Sequence, residues 1–325
     1  MTIFRFKDHV SIIREDGYIY IIDKNVLKIS INDGIEQVIN QYKQGCNPEI
    51  AKDFISIEDA LILHNTLQNN NLILPVWDNN YENTFLEKQL YYLEQFSDNP
   101  NDAQTKLDKA TVGIIGLGGV GSIVLQNLVG AGIKNFVLID FDNVSMHNLN
   151  RQFIFNTSYI GSHKITESSK YAKSINKDCN IICFNAKINE LSDFTLLKNI
   201  KLDIIVNAAD TPYNIAEITY NYAKENKIPF ITAGVGISSG FWGPLFNSES
   251  YNMNINMTQK HINRDPIKGS LGATNNIISS FMTYDIIKFL IGEPPKSLGK
   301  KIIIEFDSLN IKEKNYIDNE EKANE

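Results

Sequence analysis

The chain has 325 residues, of which 43% are hydrophobic, so it can bury one large domain and a smaller one. The formal net charge of −7 argues against a nucleic-acid partner, because there is no excess of basic side chains to displace counterions. No apolar run has the length of a membrane span, and the N-terminus lacks the apolar core of a signal peptide. We therefore expect a cytoplasmic protein without a membrane-bound segment.

Residues 1–75 show the pattern of a small separate module. Short β-rich runs occupy residues 9–14, 18–22 and 26–31, and turn residues separate them. Apolar residues at helical spacing follow between positions 35 and 42, and Ser56 begins a second helix that we expect to run to about residue 68. Three strands followed by helices predict a winged-helix-like module.

The next segment, residues 76–110, is predicted to be a connector with a dimer-contact helix. Residues 69–82 are polar and contain Pro75, whereas residues 82–95 carry apolar side chains on one side of a helix. The sequence Asn99-Pro100-Asn101-Asp102 is expected to break that helix.

Residues 111–325 are predicted to form an α/β domain with a Rossmann-like, doubly wound and mainly parallel sheet, because strands and helices alternate there. Predicted strands are residues 112–115, 135–140, 180–185, 204–207, 229–233 and 301–306. The first predicted helix ends at about residue 130. The other predicted helices span residues 164–175, 214–225 and 270–291.

A glycine-rich turn lies between the first strand of this domain and its first helix. Gly116, Gly118, Gly119 and Gly121 fit the dinucleotide fingerprint, in which glycines allow backbone N–H groups to approach a phosphate. Asp140 ends the next strand, where a carboxylate can accept hydrogen bonds from a ribose. These features alone favour NAD or FAD, and a Rossmann fold without a nucleotide remains an alternative.

The following residues favour a polyphosphate instead. Asn148, Arg151, Gln152 and Lys164 suit phosphate oxygens: the arginine offers a planar fork and the lysine a point charge. We assign Asp142 to the same nucleotide pocket. Hydride transfer at a nicotinamide needs no such cations, whereas transfer at the α-phosphorus of ATP does.

Asp210 closes another strand, at the sheet edge where ligands of this fold bind. A carboxylate there is suited to hold Mg²⁺ against the β- and γ-phosphates. The alternative is a helix N-cap before Thr211-Pro212.

The motifs GLGGVGS, LIDFDNVSMHNLNRQ, GSHK and NAAD resemble those of the MoeB/ThiF/HesA superfamily of adenylating enzymes, which are relatives of ubiquitin-activating enzymes. The resemblance covers most of residues 81–310. It implies that Asp140 holds the ribose of ATP and that Asp210 binds Mg²⁺. The residues it places around the phosphates are Asn148, Arg151, Gln152 and Lys164.

Residues 233–245 and 275–289 are similar to the microcin C adenylyltransferase branch, which modifies a short ribosomally made peptide. This similarity implies a homodimer that makes a natural product, with an antibiotic as the expected class. It also implies that the N-terminal module binds the precursor peptide as an added strand at a sheet edge.

The sequence departs from the superfamily in three respects. Residues 247–256 and the C-terminus contain no cysteine, so we predict no zinc site. The loop after Gly234 also lacks a cysteine, which argues against a thioester relay. Lys88 stands where the family carries an arginine that reaches into the partner subunit's site, and lysine cannot make the same bidentate contact.

We therefore predict an ATP-dependent adenylyltransferase that activates a carboxylate of a precursor peptide. The first alternative is adenylation of the C-terminal glycine of a ubiquitin-like sulfur carrier. A non-catalytic scaffold that binds a leader peptide is the alternative of another class, and an oxidoreductase is less favoured. His163 and His261 are candidates for a later proton transfer or are surface or packing histidines.

Overall fold

The computed structural model describes residues 2–252 and 267–316. The chain divides into two compact units, Met1–Thr105 and Lys106–Glu325. The domain boundaries at residues 75 and 110 stay a prediction. Within the described residues, no helix combines the length and the apolar character that crossing a membrane requires.

The first unit contains a three-stranded antiparallel sheet and a separate strand pair. Its strands are β1 (Phe4–Phe6), β2 (Ser11–Glu15), β3 (Tyr18–Ile22), β4 (Val26–Ser30) and β5 (Ile73–Pro75). Strand β3 lies between β2 and β4, so β2 and β4 form the two edges of the sheet. The three strands predicted for the N-terminal module are confirmed.

Strand β5 was not predicted, since it lies in the polar segment 69–82, which was expected to be a connector. This strand pairs with β1 in antiparallel register, Phe4 opposite Pro75 and Phe6 opposite Ile73. The pair joins residues about seventy positions apart, so no local pattern could indicate it, and proline is tolerated because the strand lies at an edge.

The helices of this unit are α1 (Asp33–Tyr42), α2 (Pro48–Ala51), α3 (Ile57–Asn69) and α4 (Glu87–Leu93), and α5 (Pro100–Lys109) includes the boundary at Thr105. The predicted start at Ser56 is confirmed, because its hydroxyl accepts the N–H of Asp59. Helix α4 is shorter than predicted, since Asn83 has a left-handed backbone that a helix cannot contain. The helix ends before Asn99-Pro100, as predicted, and a second helix begins at Pro100, because proline is favoured at the first helical position.

One hydrophobic core joins the strands and helices of residues 2–75. Its buried members are Phe6, Ile19, Ile21, Val38, Ile39, Tyr42, Cys46, Ala51, Ala60, Leu63, Leu67, Leu72 and Ile73. Strands and helices around one core are the arrangement expected of a compact module, and its winged-helix-like character stays a prediction.

The second unit is built on an eight-stranded sheet. Its strands are β6 (Thr111–Ile115), β7 (Asn135–Ile139), β8 (Asn180–Phe184), β9 (Ile204–Asn207), β10 (Phe230–Val235), β11 (Ser239–Phe246), β12 (Lys300–Glu305) and β13 (Ile311–Asn315). The spatial order is β13-β12-β11-β10-β9-β6-β7-β8. Five neighbouring strands are parallel, namely β10, β9, β6, β7 and β8, which confirms the predicted doubly wound sheet. The remaining strands, β11, β12 and β13, are antiparallel to their neighbours.

The helices of this unit are α6 (Gly119–Gly130), α7 (Lys164–Ile175), α8 (Ile215–Glu225) and α9 (Gly272–Ile291). Helix α9 packs against α6, and its bounds agree with the predicted late helix. Strand β11 was not predicted, since it contains Gly240, Gly243 and Pro244, which are poor strand formers.

The strand order changes direction at β6, because β7 and β8 lie on one side of it and β9 and β10 on the other. Its parallel neighbours are β7 and β9, and backbone hydrogen bonds of 2.8 Å continue the pairing past the strand ends, from Gly116 to Ile139 and from Ala208 to Ile115. The carboxyl ends of three strands therefore meet at one point, which is where doubly wound sheets bind ligands.

Candidate active site

The glycine turn closes tightly against the end of β9. Gly116 has a φ of +84°, and a Cβ atom there would lie 2.8 Å from the Ala209 nitrogen. A Cβ atom at Gly121 would overlap the Gly116 carbonyl oxygen. Gly118 is the N-cap of α6 and provides no side-chain cap, so the first N–H groups of this helix suit a phosphate.

Asp140 follows β7 and is buried beside this turn. Its Oδ2 accepts the Leu117 N–H at 2.6 Å and its Oδ1 accepts the Asp142 N–H at 2.7 Å. Burial raises the pKa of Asp140 above its ordinary value, while the Leu117 N–H bond and nearby Lys164 act in the opposite direction. Each carboxylate oxygen has a second lone pair, so the predicted contact with a ribose is compatible with both bonds.

Lys164 brings a positive charge to the same strand ends. It is the first residue of α7, its side chain is 5% exposed, and its Nζ lies 2.9 Å from Oδ2 of the more exposed Asp142. The Lys164 N–H also donates to the Asp142 carbonyl oxygen at 3.0 Å. Asp142 is the negative partner that this buried ammonium group needs, and the remaining N–H donors of the ammonium group suit a phosphate oxygen.

Asn148 and Gln152 are buried on the loop after β7. The Oδ1 of Asn148 accepts the Ser145 N–H at 2.9 Å and so caps the 3₁₀ turn Met146–Asn148. The amide nitrogen of Asn148 is therefore the atom that could donate to a phosphate. The Oε1 of Gln152 has no hydrogen-bond donor within the described parts of the chain. Buried acceptors are rarely left unpaired, and a ligand hydroxyl would satisfy this one.

Arg151 lies next to the glycine turn. A Cβ atom at Gly119 would lie 3.3 Å from the Arg151 Cδ. The Nη1 of Arg151 donates to the His147 carbonyl oxygen at 2.7 Å and to Asn150 Oδ1 at 2.9 Å. The arginine is thus held on the loop that faces the predicted phosphate site.

Asp210 is exposed and follows Ala209, which contacts the glycine turn. The Thr211 hydroxyl donates to Asp210 Oδ1 at 3.2 Å. No cluster of three or more His, Cys, Asp or Glu side chains that could hold a metal ion occurs within residues 2–252 and 267–316. Mg²⁺ at a nucleotide typically uses one or two protein carboxylates, with phosphate and water oxygens as the other ligands, so a single Asp210 fits that role.

The three remaining candidate residues from the sequence are Lys88, His163 and His261. Lys88 lies on α4 in the first unit, with a side chain that is 91% exposed and 3.7 Å from Glu87 Oε1, and its role at a partner's site stays a prediction. His163 is exposed, and its ring lies 3.4 Å from the Asn185 amide. His261 lies outside the described residues.

Two asparagines beside the turn were not predicted as site residues. Asn275 is buried on α9, and a Cβ atom at Gly119 would overlap its Oδ1. Asn150 links Arg151 to the segment that precedes α9, because its Nδ2 donates to the Ser270 carbonyl oxygen at 2.9 Å. Both lie in segments that carry the family resemblance, but nothing in the sequence indicated that these two side chains would lie beside the turn.

Several curated relatives of the chain are named as adenylyltransferases. The chain is 28% identical over 214 residues to the probable molybdopterin-synthase adenylyltransferase of Gracilaria tenuistipitata var. liui, covering 64% of this chain and 59% of that protein. It is 34% identical over 124 residues to the adenylyltransferase and sulfurtransferase UBA4 of Candida glabrata, covering 37% and 28%. The match spans less than two thirds of either relative. The molybdopterin-synthase adenylyltransferase of Haemophilus influenzae is 28% identical, with 65% and 87% covered.

Solved structures with the same fold cover nearly the whole chain. E. coli MccB with ATP has a TM-score of 0.84 and 24% identity, with 97% of each chain covered. E. coli MccB with MccA-N7isoASN also has a TM-score of 0.84, with 23% identity and the same coverage. PaaA has a TM-score of 0.73 and 20% identity, with 95% of this chain and 99% of PaaA covered.

The sequence profile of the ThiF family matches residues 91–324, which is more than half of the chain. The matched range contains the glycine turn, Asp140, Arg151, Lys164 and Asp210. The chain belongs to the ThiF family.

Proposed function

We propose that this protein is an ATP-dependent adenylyltransferase that activates a carboxylate of a ribosomally made precursor peptide. The observation that carries the proposal is the meeting of three strand ends around a glycine turn, with buried Asp140 and Lys164 and the adjacent Arg151. The N-terminus of α6 and the two cations suit the phosphates of ATP, and Asp140 can accept hydrogen bonds from its ribose. The names of the curated relatives and the MccB structure with ATP support this assignment.

In the proposed reaction, a carboxylate oxygen of the peptide attacks the α-phosphorus of ATP. The bond from that phosphorus to the oxygen bridging to the β-phosphate breaks, and pyrophosphate leaves with both electrons of that bond. The products are an acyl-adenylate and pyrophosphate. No general base is needed, because a carboxylate is already ionised at neutral pH.

Catalysis then depends on positioning and on stabilising charge. Lys164 and the N–H groups at the start of α6 hold phosphate oxygens, and Arg151 stabilises the charge that develops on the leaving pyrophosphate. Asp210 would hold Mg²⁺, which supplies further neutralisation of the phosphate charge. The Oε1 of Gln152, which is buried and unpaired within the described chain, would accept a hydrogen bond from the nucleotide.

Coverage favours a peptide over a sulfur carrier as the substrate. The first and third curated relatives match 64% and 65% of the chain, whereas the MccB structures, several of which contain MccA, match 97%. The matches to MccB include most of the winged-helix-like module, since they cover nearly the whole chain. In an enzyme that acts on a precursor peptide, such a module would bind the peptide while a carboxylate of the peptide reaches the ATP site.

We further propose that a segment of the peptide adds to an edge of the three-stranded sheet, either at β2 or at β4. Strand β4 is favoured, since Val26 is 60% exposed, and Lys28 lies 3.8 Å from the centre of the Tyr18 ring on the neighbouring strand. Arg14 on β2 is paired with Glu36 and Asn40 of α1 instead. We also propose that the enzyme acts as a homodimer in natural-product biosynthesis, in which Lys88 reaches the partner's site.

The names of the curated relatives favour a second candidate, adenylation of the C-terminal glycine of a sulfur-carrier protein. The deciding experiment is ATP–pyrophosphate exchange with Mg²⁺ present. Short peptides encoded by neighbouring genes are compared with a carrier that ends in Gly-Gly. Exchange that depends on a short peptide supports the proposal, and exchange with the carrier alone refutes it in favour of sulfur transfer. Peptide binding without any exchange would identify a scaffold.

A further inference from the structure

We propose that Asn150 is a positioning residue for Arg151 during adenylation. Asn150 belongs to no predicted set of ligands, and its side chain lies on the protein surface. The inference rests on the proposed function, because it assigns a role in the same reaction. It adds a residue that acts through the arginine without touching the nucleotide.

The side chain of Asn150 uses both of its polar atoms. Its Oδ1 accepts a hydrogen bond of 2.9 Å from Arg151 Nη1, and its Nδ2 donates one of 2.9 Å to the Ser270 carbonyl oxygen. Ser270 lies 120 positions further along the chain, just before α9. The exposed Asn150 side chain therefore links Arg151 to the segment that precedes α9.

The segment that Asn150 contacts is itself fixed against the glycine turn. The Nδ2 of Asn275 donates to Ser270 Oγ at 3.0 Å and to the Leu271 carbonyl oxygen at 2.8 Å. The Oδ1 of the same asparagine lies where a Cβ atom of Gly119 would be. Arg151 is thus connected through Asn150, Ser270 and Asn275 to the turn that receives the phosphates.

This connection matters because arginine has a long side chain with many rotamers. Holding such a side chain before the reaction avoids an ordering cost that would otherwise fall on the transition state. The bond from Arg151 to the His147 carbonyl oxygen remains when Asn150 is removed. Loss of Asn150 should therefore reduce the rate less than loss of the arginine.

The test is a double-mutant cycle of Asn150→Ala and Arg151→Ala, measured by peptide-dependent ATP–pyrophosphate exchange. The single Asn150→Ala change should lower kcat by about tenfold, with the KM for ATP within about twofold of wild type, as expected for an ordering cost of one side chain. In the Arg151→Ala background it should cause no further loss, because two residues that act as one unit are not additive. Asn221→Ala is the matched control, since Asn221 is an exposed asparagine on α8.

Two results would overturn the inference. One is a kcat for Asn150→Ala within twofold of wild type. The other is an equal loss in both backgrounds accompanied by a lower melting temperature, which indicates a structural role. Both results require a wild-type enzyme that catalyses exchange. Absence of exchange in the wild type would refute the proposed function itself, so the two failures are distinguishable.

Discussion

The backbone N–H of Leu117 donates a hydrogen bond of 2.6 Å to Oδ2 of Asp140. This bond joins the glycine turn after β6 to the end of β7. Because the other carboxylate oxygen accepts the Asp142 N–H, one buried side chain organises two loops of the candidate site.

Replacing Asp140 by alanine should weaken ATP binding by on the order of 10- to 100-fold, since hydrogen bonds to a charged group contribute about 1.5–3 kcal/mol each. The loss combines the ribose contact with a loosened turn. Isothermal titration of ATP measures it, with Asp178→Ala as an exposed control of the same residue type. A folded Asp140→Ala variant with wild-type ATP affinity would contradict the assignment of the ribose site.

Arg151→Ala should lower the adenylation rate by on the order of 10²–10³, while ATP and peptide still bind, because the arginine stabilises charge that develops only in the transition state. Arg151→Lys should fall between this variant and wild type, since lysine keeps the charge and loses the planar fork. Single-turnover formation of the adenylate separates rate from binding. Near-normal turnover in Arg151→Ala would rule out the proposed mechanism.

The two ends of α6 provide a matched pair of glycines. Gly121→Ala should destabilise the protein by about 1–3 kcal/mol or more and abolish ATP binding, because the new Cβ would overlap the Gly116 carbonyl oxygen. Gly130→Ala should be neutral or stabilise by about 0.4–1 kcal/mol, since no atom lies within 4 Å of its Cβ position. Thermal unfolding and ATP titration compare the two. Equal effects would show that the turn is not closely packed.

If Lys88 acts at the partner's site of a homodimer, two inactive variants should complement each other. Lys88→Ala and Arg151→Ala each damage every site in their own dimers. A mixed dimer contains one site with both residues intact, so mixing should restore up to about one quarter of wild-type activity when subunits exchange at random and each variant alone is inactive. Activity that stays at the sum of the separate variants would exclude action in trans.

His64 should make the stability of the N-terminal module depend on pH. Its Nδ1 lies 2.8 Å from the Tyr42 hydroxyl, and burial lowers the pKa of His64 below its ordinary value of 6.5. The unfolded chain therefore takes up a proton before the folded chain does. The contribution of His64 is fully present above pH 6.5 and is lost as the pH falls below that value toward the lower folded pKa.

Hydrogen exchange of peptides from α1 and α3 in the full-length chain measures this effect. The free energy of opening should decrease below pH 6.5 in wild type, and His64→Gln should remove this part of the dependence. An identical pH profile in the variant would show that His64 does not couple folding to protonation.

The sequence by itself determined the parts of this protein that depend on local patterns. The alternation of buried strands with helices from Thr111 onward follows from the period of apolar residues. The turn from Gly116 to Gly121 could be recognised because a backbone that closes on itself leaves no space for side chains. The proposed nucleotide site near Asp140 and Asp210 could be predicted because parallel strands end at one sheet edge.

Only the tertiary structure decided the contacts between distant segments. The pairing of β1 with β5 joins opposite ends of the N-terminal module, and β11 forms despite its glycines and proline because β10 and β12 lie on either side of it. The bond that links Asn150, and through it Arg151, to the segment before α9 depends on Ser270, which lies 120 residues beyond Asn150. Apart from the pairing of the neighbouring strands β10 and β11, these contacts join segments that are far apart in the chain, and no local pattern in either segment indicates its partner.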